Sequence, residues 1–140
     1  MDVFVYGTLT EPDRVAGVLD SFVFVGPATL TGLRLVEGRY PTLAPGGETG
    51  GRLLRTDETT ALDEYEGVGD GLYHRASVPL EAPEEHPDRA AVYVGDPDRL
   101  NADAAWPDGP SGPDGEFGER VAAYLERADV RVQLTPEKSV

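Results

Sequence analysis

The spacing of apolar residues changes several times along the chain, and the changes mark its elements. Residues 2–6 (DVFVY) form a nearly unbroken apolar run that stops at Gly7, the signature of a short buried strand. Pro12 suits a first helical turn, and Val15, Val18 and Leu19 follow at helical spacing, which predicts a short helix over about 11–20. Aliphatic and β-branched runs at 21–25 and 28–36 predict two strands on either side of Gly26-Pro27. Residues 37–50 (EGRYPTLAPGGETG) are rich in Gly and Pro and read as a loop, with Tyr40 held extended by Pro41. Residues 51–55 (GRLLR) read as the next strand.

The second half continues the pattern. Residues 57–66 (DETTALDEYE) predict a helix with Asp57 as N-cap, Ala61, Leu62 and Tyr65 on one face, and Gly67 as a left-handed stop. Residues 72–80 alternate as a strand, 81–88 read as a polar hairpin-like connection, and 89–95 (RAAVYVG) as another strand. Residues 96–115 hold many Pro, Gly and Asp, so any structure there is expected to be short. Phe117, Val121, Tyr124, Leu125 and Ala128 form one apolar stripe, predicting an amphipathic helix over 116–128. Val130, Val132 and Leu134 alternate and predict a final edge strand. No internal repeat is visible. Strands dominate and the turns are Gly-rich, which favours an α+β domain on a strongly curved or closed sheet over a doubly wound fold. The length of 140 residues fits a single domain.

Composition narrows the partners. Hydrophobic residues make up 39%, enough for a core. Twenty-six acids against twelve bases give a net charge of −14, which opposes both nucleic-acid backbones and anionic lipid surfaces. The absence of cysteine removes disulfides, thiolate metal sites and a Cys nucleophile. No apolar stretch is long enough to span a membrane, and the first residues lack a basic signal-peptide head, so a soluble cytoplasmic protein is expected. The acids are spread along the whole chain rather than gathered in a tail, as expected of a solvated surface adapted to high salt.

Much chemistry is excluded. There is no Gly-x-Ser-x-Gly elbow, no Walker A sequence and no Gly-x-Gly-x-x-Gly after a strand. His74 and His86 do not sit at zinc-ligand spacing. Asp96, Asp98 and Asp103 lack the glycine and terminal Glu of an EF-hand and read as solvated acids. Neither a metal nor a cofactor is expected. Any catalysis falls to carboxylates, tyrosines, arginines and backbone amides.

Three segments carry such groups. Val5-Tyr6-Gly7-Thr8-Leu9 takes a buried strand through Gly into a helix, a turn that can aim successive N–H groups at an anion, or equally an ordinary strand exit. Leu62-Asp63-Glu64-Tyr65-Glu66-Gly67 puts three carboxylates at the negative end of a helix dipole, a solvated helix end or a site that raises one carboxyl toward neutrality. Leu72-Tyr73-His74-Arg75 follows closely, with Tyr73 and Arg75 on one face, where they could flank that carboxylate or simply pack.

Taken in order, these segments resemble the γ-glutamylcyclotransferase family, including its AIG2-like members, with Tyr40-Pro41 and the Gly-x-Leu-Leu strand between them. The resemblance covers about residues 2–95. It implies a small mixed β-barrel with flanking helices. It also implies that Tyr6, Gly7, Thr8 and Leu9 form the substrate-binding loop, with Tyr73 beside it, and that Glu66 is the general base. The partner implied is a small γ-glutamyl compound, cleaved to 5-oxoproline and a free amine. Arg52 departs from the family, many members of which carry an acid there, and residues 96–140 match no part of its pattern. A non-catalytic binding or regulatory module on the same fold is the alternative. The leaving group and the oligomeric state stay open.

Overall fold

The computed structural model describes the chain except for residues 83–85, 108, 111, 113–114 and 136–140 and the side chain of Thr8. Its elements are β1 (Asp2–Val5), a 3-10 turn (Gly7–Thr10), α1 (Pro12–Ala16), β2 (Val23–Val36), β3 (Thr42–Arg55), α2 (Thr59–Glu66), a second 3-10 turn (Val68–Asp70), β4 (Tyr73–Glu81), β5 (Arg89–Gly95), α3 (Pro97–Leu100), α4 (Phe117–Arg127) and β6 (Arg131–Leu134). The strands close into a barrel in the order β1-β3-β2-β6-β4-β5. The pairings are antiparallel except β1 with β5 and β4 with β6, so the barrel is mixed, as the family resemblance implies. Among the described residues, no helix is long and apolar enough to cross a membrane.

Strand alternation sorts apolar residues into two cores. Phe4, Leu30, Leu53, Val78, Val92 and Val132 come from all six strands and fill the barrel interior, where Trp106, Val121 and Leu125 join them. Their neighbours Val3, Val5, Leu54, Ala91 and Tyr93 point outward and are covered by Val15 and Leu19 from the α1 region and Leu62 of α2. The small helices flank the barrel because its outer wall is apolar there.

Several expected boundaries move. The predicted loop over 37–50 is largely strand: β3 begins at Thr42, and the ladder with β2 runs from Val36↔Thr42 to Val23↔Arg55. Pro45 and two glycines are accommodated next to a register shift between Thr31 and Leu33, so cross-strand pairing overrides the local turn chemistry. The two strands expected around Gly26-Pro27 are one, β2, irregular at Phe24/Gly26. The helix over 11–20 is reduced to five residues, ending near Gly17. The final strand is not an edge, because β6 pairs with β2 on one side and β4 on the other. The predicted helix over 57–66 starts later, at Thr59. Its N-cap is Glu58 rather than Asp57, and the Glu58 carboxylate instead accepts bonds from the Ser21 and Asp20 amides at 2.6 and 3.2 Å. Part of the 81–88 connection lies outside the described residues.

Candidate active site

The site is built where β1 ends. After Val5 the chain turns at Gly7, whose φ of 74° is a conformation open to glycine and costly to most residues. The 3-10 turn that follows is closed by the Thr10 hydroxyl donating to Gly7 O at 2.7 Å. Arg52, on the neighbouring strand, donates to Thr10 O at 2.8 Å, and its guanidinium lies 3.9 Å from the Phe24 ring centre. The residue that departs from the family pattern thus anchors the far end of this turn.

The opposite wall comes from the end of α2. Gly67, at φ 70°, stops the helix, and Leu72 N donates to Gly67 O at 3.0 Å. A Cβ on Gly67 would lie 3.1 Å from the Leu72 Cβ, so the glycine also permits the close return to β4. This return carries Tyr73 next to Glu66. The Tyr73 hydroxyl donates to Pro41 O at 2.7 Å, drawing the β2–β3 connection onto the same site.

Between these walls lies a cavity of about 260 Å³. Tyr6, Gly7, Leu9, Glu66 and Tyr73, all expected from the sequence, line it, and Tyr93 does so as well. The side chain of Thr8 lies outside the described residues; its backbone belongs to the 3-10 turn. The rings of Tyr40 and Tyr65 also line the cavity while staying about half exposed to solvent.

Burial decides the electrostatics. It pushes the Glu66 carboxyl up to about 7, because the charged form loses hydration in this pocket. The Tyr6 phenol is held well above its ordinary value by burial first, then by the negative charges that Tyr73 and Glu66 would carry. Tyr73 is raised by burial and then by Glu66. Tyr6 therefore remains a neutral donor, and its hydroxyl donates to the backbone carbonyl of Tyr93.

The three acids at the end of α2 have separate fates. Glu66 enters the cavity, Glu64 is exposed, and Asp63 is bound by Arg75 Nη1 and the Tyr93 hydroxyl, each at 2.7 Å. Arg75 therefore faces Asp63 rather than Glu66, one helical turn from the position the sequence left open for it. Tyr93 is the residue that reading missed. The signal was one large polar aromatic among the Ala and Val that fill the strand between Arg89 and Gly95. Asp96, considered above among the possible metal-binding acids, caps α3 by accepting from the Asp98 amide at 3.0 Å.

A model of the family described as Gamma-glutamyl cyclotransferase, AIG2-like, matches residues 3–111, a span holding every cavity residue named above. The chain belongs to that family. Solved structures agree with this AIG2-like assignment in fold. A structure named Gamma-glutamyl cyclotransferase is similar over 77% of this chain and 71% of its own, with 22% identity and a TM-score of 0.59. At5g39720.1 from Arabidopsis thaliana is 32% identical over 70% of this chain and 72% of its own, TM-score 0.50. Protein ytfP from Escherichia coli is 27% identical over 73% and 90%, TM-score 0.52. Among curated proteins, none matches the chain.

Proposed function

We propose that this AIG2-like protein cleaves γ-glutamyl amides, releasing 5-oxoproline and a free amine. The observation that carries the reading is the half-buried Glu66 carboxyl, pushed up to about 7, lining one cavity with the turn that follows β1.

The chemistry suits the residues present. The substrate supplies its own nucleophile, and well-oriented intramolecular attack can supply roughly 7–11 kcal/mol of a barrier. Ionised Glu66 takes a proton from the α-ammonium, and the freed amine attacks the γ-carbonyl carbon, forming the ring C–N bond. The attacking nitrogen then sheds a second proton as the old amide C–N bond breaks. Both protons finish on the departing nitrogen, relayed by the same carboxyl, and the amine leaves as its ammonium. A positioned acid–base group of this kind is worth about 10²–10⁴-fold. The amides of Gly7, Thr8 and Leu9 would hold the α-carboxylate or the developing oxyanion, where one lost donor typically costs about 2.7–4 kcal/mol.

The lining also bears on the leaving group. Among the described lining residues there is no Lys, Arg or His, so a leaving group with its own carboxylate would find no side-chain cation. The half-exposed rings of Tyr40 and Tyr65 suit an alkyl or cationic amine. We therefore favour γ-glutamylamines over γ-glutamyl amino acids. The test is 5-oxoproline release from a panel of both classes. Product from the amines supports the reading; affinity without product from any member would assign the chain to the non-catalytic alternative.

A further inference from the structure

We infer that Asp63 is a positioning residue: clamped between Tyr93 and Arg75, it fixes how deeply Glu66 sits in the cavity. The inference rests on the acid–base role proposed for Glu66.

Asp63 precedes Glu66 by three positions on α2, so the two side chains leave neighbouring points of one helix face. Its two carboxylate oxygens are used separately. Oδ1 accepts from the Tyr93 hydroxyl of β5 and Oδ2 from Arg75 of β4, each at 2.7 Å. Arg75 and Tyr93 are register partners across β4 and β5, so the clamp is referred to one rigid pair of strands. Tyr93 also accepts, through its backbone carbonyl, the hydroxyl of Tyr6. One residue therefore ties the β1 exit to the barrel with its main chain and the end of α2 with its side chain. These are the two sequence-distant walls that the proposed reaction needs in register.

A helix of eight residues is too short to hold its own place in water, and α2 is stopped at once by Gly67. Packing through Leu62 fixes its middle; the Asp63 clamp fixes the last turn, where Glu66 lies. If the clamp is released, the last turn can lift and water can reach Glu66. The groups facing this region are the phenols of Tyr6, Tyr40, Tyr65, Tyr73 and Tyr93 and the Arg75 guanidinium.

The test is the titration of Glu66, read by NMR of carboxyl-labelled protein, beside the pH profile of kcat/KM. Asp63→Asn offers an amide N–H₂ to one of two donors and breaks the clamp. Tyr93→Phe removes one bond while leaving every charge in place, so a change there cannot be the loss of a negative neighbour. Both should bring the Glu66 midpoint down from about 7 toward the ordinary range near 4.5, with a drop of about one pH unit or more. Turnover should fall by about 10²-fold, the scale of a 1 Å misplacement. Glu64→Gln, exposed on the same helix, should change neither. A Glu66 midpoint that stays put in Tyr93→Phe overturns the inference, and this result stands even if Asp63→Asn fails to fold. A wild-type protein that releases no 5-oxoproline, with the midpoint shifted as expected, would refute the cyclotransferase reading and leave the clamp intact.

Discussion

Tyr6 and Glu66 line one cavity from opposite parts of the chain, and the Tyr6 phenol is kept protonated by burial and then by the negative charges that Tyr73 and Glu66 would carry. One wall thus keeps a fixed donor while the other holds a carboxyl able to change state near neutral pH. In the proposed reaction that asymmetry would let a single acid carry the proton traffic.

Glu66→Gln should lose about 10²–10⁴-fold in turnover, the usual contribution of a positioned acid–base group. Glu64→Gln should stay close to wild type, because two positions along a helix turn its side chain about 160° away. Rates of 5-oxoproline release, with circular dichroism to confirm folding, check both. Wild-type rates in Glu66→Gln would sink the mechanism.

The pH dependence follows from the same carboxyl. In the proposed reaction its ionised form is the base, so kcat/KM should rise with pH through about 7. Stability should move the other way. Between the unfolded value near 4.5 and the folded value near 7, the native state keeps a proton that the unfolded chain releases, so raising pH favours unfolding. The full cost, of the order of 3 kcal/mol, is present above the upper limit and absent below the lower one. Glu66→Gln, which cannot ionise, should therefore melt higher than wild type at about pH 8–9 and nearly equal to it at about pH 4. Thermal unfolding at the two pH values reads the difference directly.

How far the sequence discloses this arrangement depends on the range of the forces involved. Strand β5 and helix α4 were legible because their apolar rhythm is local, and the end of α2 because Gly67 marks it. The stretch Thr42–Gly50 was not, since Pro45, Gly46 and Gly47 carry turn chemistry and only pairing with β2 makes them strand. In the site, Tyr6, Gly7, Leu9, Glu66 and Tyr73 could be named because they sit in compact motifs. Tyr93 stood out only as a lone polar aromatic in β5, and its grip on Asp63 was not legible, because nothing near either residue records a contact made across the barrel wall.

The leaving group gives a further expectation. With no basic side chain among the described lining residues, a γ-glutamyl alkylamine should be turned over with higher kcat/KM than a γ-glutamyl amino acid, by roughly 10-fold or more if one unpaired carboxylate costs about 1.4 kcal/mol or above. Equal rates for the pair would show that this charge is met elsewhere.

Salt should matter as well. A net charge of −14 on 140 residues is a self-repulsion that screening relieves. We propose a salt-adapted surface, for which the unfolding midpoint should rise between about 0.1 and 3 M KCl, since the screening length falls from about 10 Å to 3 Å or less over that range. A flat response would identify an ordinary acidic surface.

The position of β6 has a consequence in time. Four residues, Arg131–Leu134, supply the stave between β2 and β4, although most of the chain is synthesised before them. A nascent polypeptide lacking that stave has two bare margins and cannot shut its cylinder. Closure must therefore await the synthesis of these four residues, and a stop placed shortly before Arg131 should yield a sticky, open sheet instead of a smaller working protein.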